Sequence, residues 1–217
     1  MVRSAPLIAT WLLPALLALA PAMAWGQDAP KPDNPPKDDW PCVQVLQPEL
    51  SIGAMWPGDD PTATGPSWRD DAVVAALVER VAPRRVPVDE ATAEIHRFAA
   101  GYEGDRKVAL SALFAGLFES INGERATIIR GIRRYNARQA ALAQRMEDTT
   151  QTLDGVDPTS TDMAVAQKRQ QLETQLSWDQ RVFDERERLL PAICDQPFIL
   201  ERRLFALSRT IQEEIGK

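Results

Sequence analysis

No proline falls between residues 88 and 157 of a chain that holds 17 of them, and that gap does more than any motif to limit the fold. A long proline-free tract whose apolar residues recur at helical spacing reads as helix. It contains an uncharged run, Val108 to Phe118, after which the apolar pattern thins. From there Ile128, Ile132, Tyr135, Gln139, Leu142, Met146, Thr149 and Leu153 follow alternating steps of four and three. That is a heptad seam, which keeps one side of a helix against a partner, although Gln139 and Thr149 are weak seam residues. Asn122-Gly123 is the expected break, and a helix from there to Leu153 would be about 45 to 50 Å long.

Asp154-Gly-Val-Asp-Pro158 supplies turn chemistry. Gly155 can take the left-handed conformation that closes a helix, Asp157 can cap the next one, and Pro158 suits its first turn. The returning helix carries Val165, Leu172, Leu176, Phe183 and Leu190 on a matching register, with Arg169, Asp179 and Arg186 at intervening seam places. Short connections make antiparallel neighbours, so the spacing predicts a helical hairpin over about residues 105–190, with a weak and partly polar seam.

Residues 1–24 carry one charge, Arg3, then an apolar run from Leu7 to Leu19 and the small-residue sequence Ala22-Met-Ala24. This is the pattern of a secretory signal peptide cleaved near Ala24, and the expected setting is periplasmic or secreted. The run is too short for a membrane helix and is broken by Pro14 and Pro21, and no later stretch is apolar enough to span a bilayer. Residues 25–39 read as a disordered Pro-rich lead-in. The remainder, 40–217, reads as a single helical domain.

From Trp40 onward Val43, Val45, Leu46, Leu50, Ile52, Met55 and Trp56 are spaced by Pro48 and Pro57, which suggests an irregular strap laid over the helices. Ser67 to Asp70 resembles a capping box before Val73, Val74, Leu77, Val78 and Val81, and Pro83 ends that helix. A second helix is expected over 87–102 with Ile95, Phe98, Ala99 and Tyr102 inward. Pro191 should kink or end the returning helix. Residues 196–215 form a last helix through Phe198, Ile199, Leu204, Phe205, Leu207 and Ile211. The expected fold class is all-α: a small bundle with a long antiparallel hairpin and an N-terminal Pro/Trp-rich strap.

Cys42 and Cys194 are an even pair in a chain read as exported, which is most simply one disulfide. The equipment for catalysis is sparse. His96 is the only histidine, and there is no nucleophile-elbow sequence, CxxC or CxxCH, so no catalytic residue, metal site or cofactor is assigned. Asp59-Asp60, Asp70-Asp71 and the acids of the 154–162 turn lack EF-hand spacing. The net charge of −6 argues against nucleic acid as the main partner.

One pattern stands out from this background. Six arginines and no acid lie between Arg125 and Arg145, and Arg130, Arg134, Arg138 and Arg145 share one side of the helix. Guanidinium groups so placed can grip carboxylates or phosphates bidentately. The alternative is that Glu173, Asp179, Asp184, Glu185 and Glu187 of the returning helix neutralise them within the hairpin. The leading functional expectation is therefore an exported interaction protein, an accessory subunit or adaptor, that presents the hairpin to a protein partner or to its own copy. The alternatives are a small-ligand or metal-binding module using Trp40, Trp56, Asp59 and Asp60, and a carboxylate-dependent hydrolase.

Overall fold

Three aspartates set where the main helices begin. In the computed structural model, which describes residues 39–57, 60–61 and 66–217, the Asp71 carboxylate accepts the backbone N–H groups of Val73 and Val74. Asp105 accepts from Lys107 and Val108 at 3.1 Å, and Asp162 from Ala164 at 2.7 Å. Each satisfies donors that a helix start otherwise leaves open, worth about 1 kcal/mol apiece. The leader at 1–24, the lead-in up to residue 38 and Asp59 lie outside the described residues.

The elements in order are α1 (Ile52–Met55), α2 (Ala72–Val81), α3 (Val88–Gly101), α4 (Arg106–Asp154), α5 (Met163–Cys194) and α6 (Gln196–Ile215), with no strand among the described residues. The all-α expectation holds. The main core joins α2, α3, the first third of α4 and α6. It is built on fully buried Leu77, Ile95, Leu113, Phe114, Leu204 and Leu207. Burying each such side chain contributes about 2 kcal/mol. The strap closes one end, where Trp56 stacks on Phe114 with ring centroids 4.3 Å apart. Gly116 lets Trp68 lie on α4, since a Cβ there would sit 2.9 Å from the indole.

Several local expectations are corrected. α4 runs unbroken for 49 residues, about 74 Å, straight through Asn122-Gly123. An exposed glycine costs a helix about 1 kcal/mol. Buried Ile121 and Arg125 on either side hold the helix against the body, and the Asn122 side chain accepts the Leu50 amide instead of turning the chain. Gly155 has a right-handed φ of −77° rather than a left-handed one. The returning helix starts after Asp162, not Asp157, whose carboxylate holds a small turn by accepting from the Thr159 amide and hydroxyl.

Ser67 takes only the Arg69 amide, and the cap of α2 is Asp71. Of the two readings of Pro191, a kink or an end, the end is ruled out, since α5 continues to Cys194. Pro191 is exposed, so water can reach the Glu187 carbonyl that loses its helical donor. On α6 the inward stripe is Leu200, Leu204, Leu207 and Ile211, while Ile199 and Phe205 face out. No helix among the described residues is long and apolar enough to cross a membrane.

Candidate interaction surface

The two heptad registers meet as an antiparallel pair, α4 against α5. Of the α4 seam, Ile132, Gln139, Leu142 and Thr149 are buried. On α5 the half-buried positions 165, 169, 172, 176, 183, 186 and 190, with buried Asp179, repeat the same steps. Polar contacts across the seam fix the alignment. The Tyr135 hydroxyl donates to the Arg186 carbonyl at 2.7 Å. The Gln139 amide donates to the Phe183 carbonyl at 3.3 Å and to Glu187 at 3.1 Å. Arg145 grips both oxygens of Asp179 at 2.8 and 2.5 Å. Such pairs cost more to misalign than apolar contacts do, so they specify register more than they stabilise it.

The strap covers one side of the base of this hairpin. Trp40 packs against Ile129 and Ile132 in a second small core, and its indole N–H donates to the Gln44 carbonyl at 2.7 Å. Arg133 pairs with Asp39 at 3.2 Å, and Asn136 donates to the Asp39 carbonyl. Cys42 and Cys194 are bonded, with Cα atoms 5.7 Å apart. This disulfide joins the strap to the α5–α6 junction, as the cysteine pair suggested. The bond and the lack of a membrane-length helix among the described residues are compatible with an extracellular or periplasmic protein.

On the uncovered side of α4 the arginine stripe is mostly not neutralised within the hairpin. Only Arg145 meets one of the five returning-helix acids. Arg130 donates to Thr127, while Arg134 and Arg138 are exposed and make no ion pair or hydrogen bond with described residues. The acids expected to neutralise them are mostly engaged along their own helix or in the seam: Glu173 with Arg169, Asp184 with Gln180, Glu187 with Gln139.

Beside these arginines lies a feature that reading the seam alone had missed. Trp178, Val182 and Leu189 are 60%, 37% and 51% exposed. Val182 and Leu189 stand one residue ahead of the seam residues Phe183 and Leu190, seven apart, and Trp178 is one turn before Val182. The signal was present as an apolar repeat one position off the seam. A shallow cleft of about 190 Å³ joins the two helices there, lined by Arg138, Ala141, Leu142, Arg145, Val182 and Arg186.

The other candidates are dispersed. Trp40 and Trp56 sit in separate cores, and Asp60 is exposed near the end of the strap. Among the described residues no group of three or more His, Cys, Asp or Glu side chains is placed to hold a metal ion. His96 Nδ1 lies 2.6 Å from Glu214, which Lys217 also contacts at 2.5 Å. A cleft of about 600 Å³ between α2 and α3 is lined by exposed Glu103 and by Asp71, Arg80, Glu94 and Arg97, and those four already have partners. Tyr102 donates to Asp71 at 2.5 Å and, with the Val74 and Val73 amides, holds that carboxyl below its ordinary range. Glu94 in the same cleft is paired with Arg97 and Arg80. No family model, no curated protein and no solved structure matches this chain.

Proposed function

We propose that this chain is an exported helical interaction protein, an accessory subunit or adaptor, that presents the α4–α5 hairpin to a protein partner. One observation carries the reading. The strap covers one side of the hairpin base, while the other side of the hairpin leaves Trp178, Val182 and Leu189 exposed beside Arg134 and Arg138, which have no ion pair or hydrogen bond among the described residues. Apolar side chains in a row on a helix that already has a partner are the usual mark of a second contact surface. The apolar leader at 1–24 supports export, and the disulfide is at home in an oxidising compartment. The ligand-module alternative gains no support from geometry, since Trp40 and Trp56 serve different cores.

The test is native co-purification from the periplasm, with light scattering on the isolated chain. A partner that is lost when the Trp178 and Val182 side chains are truncated supports the reading. A clean monomer that retains nothing overturns it.

A further inference from the structure

Resting on that reading of the hairpin, we infer that the groove between α4 and α5 receives an acidic amphipathic helix from a different protein. Val182 and Arg138 line the groove; exposed Trp178 and Leu189 lie before and after Val182 on the same side of α5, and exposed Arg134 lies one turn before Arg138 on α4.

The seam contacts set what faces what. Tyr135 meets the backbone of Arg186, Gln139 that of Phe183, and Arg145 meets Asp179. Arg138 therefore stands beside Val182 and Arg186, as the cleft lining confirms, and Arg134, one turn earlier on α4, stands toward Leu189. The result is an apolar row on α5 running alongside a row of guanidinium groups on α4. From residue 178 to 189 the apolar row spans about 17 Å, or three helical turns of a docked helix.

A helix laid in that groove with its own apolar stripe down would bring one of its flanks against Arg134 and Arg138. Carboxylates on that flank would supply the anions that those two guanidiniums lack among the described residues. A second copy of this chain fits less well, because pairing the groove with itself sets arginine row near arginine row. An anionic membrane also fits less well. The apolar row is only one side chain wide and lies between two helices, and exposed Glu185 interrupts it between Val182 and Leu189.

The experiment places the photoreactive p-benzoylphenylalanine in turn at Val182 in the groove, at Ala143 on the strap-side face and at Met163 at the hairpin tip. The full chain is used, in cells that make it, and adducts are read by mass spectrometry. The expected result is an adduct from Val182 to a protein segment with Asp or Glu recurring three, four and seven residues apart beside an apolar stripe. R134E/R138E should lower its yield about tenfold at unchanged circular dichroism, and R134K/R138K should retain most of it. R134Q/R138Q gives an intermediate loss and replaces the reversal variant should that one not fold. Adducts from Ala143 or Met163 alone would leave the hairpin as the presented element and overturn the groove. An adduct from Val182 to lipid, to a second copy or to a segment without acids would overturn the partner chemistry. No adduct from any position would sink the interaction reading as well.

Discussion

Arg203 closes a helix that has no glycine to close it. Its guanidinium is buried and donates to two carbonyls at the end of α2, Val81 at 2.5 Å and Ala82 at 3.1 Å, and to Val86 in the following loop at 2.6 Å. Burial pushes its pKa down, with the charge of Glu124 opposing, so the three acceptors are what make the buried cation tolerable. Arg203→Met keeps most of the stem and strands those carbonyls, and should cost about 3 kcal/mol by chemical denaturation. A loss below about 1 kcal/mol would show that water had been doing the capping. Glu119 is a surface case of the same chemistry. Its hydrogen bonds with Arg69, then Trp68, lower its pKa from 4.5 to about 2. A carboxylate depressed in the folded state adds stability above its unfolded pKa, and that stability is lost as pH falls from about 4.5 to about 2. Because the Arg69 and Glu119 side chains are 57% and 56% exposed, screening limits the contribution to about 1 kcal/mol. Glu119→Gln should lower the melting temperature at pH 7 and flatten the acid limb of the stability curve in that window. An unchanged acid limb would mean the pair contributes nothing in solution.

At the scale of the element, the α4–α5 seam combines apolar layers with polar ones, and Gln139 is its most costly layer. The amide N–H group has two acceptors, but the buried side-chain oxygen has no partner among the described residues. Gln139→Leu should therefore stabilise the hairpin by about 1 kcal/mol, measured by thermal melting, while loosening the alignment of α4 on α5. A destabilised variant would show the glutamine to be worth more than its unmet acceptor costs. The seam itself was legible, because a four-three repeat survives even where Gln, Thr, Arg and Asp occupy its places. The arginine stripe was legible for the same reason, but its partners were not. Which acid reaches which arginine depends on the axial offset of two helices, and that offset is set by Tyr135, Gln139 and Asp179 together. The helix limits were the weakest part. Asn122-Gly123 has the local chemistry of a break, yet Ile121 and Arg125 pack on either side of it and carry the helix through. Asp157 and Asp162 are equally good caps on paper, and nothing local says which the returning helix takes. Arg203 and Arg125 gave no sign of being buried, since their burial depends on carbonyls and side chains far away in sequence.

At the scale of the molecule, one covalent link ties the strap to the α5–α6 junction across a sequence separation of 152 residues. Closing a loop of that length stabilises by about 5 kcal/mol in the chain-entropy picture. Cys42→Ser with Cys194→Ser should therefore lower the melting temperature by about 10 °C, with the loss concentrated at the Trp40 core. A shift of a degree or two would mean that Trp40 and Leu46 hold the strap without help. The ring closed by Cys42 and Cys194 contains the whole hairpin, including the turn from Asp157 to Asp162, most of which is exposed. A protease that severs this turn therefore yields two pieces that still travel together. They should run as a single band on a gel without reductant and as two bands once thiol is added. A cut at the tip of the hairpin would stay hidden from size measurements made on the oxidised protein.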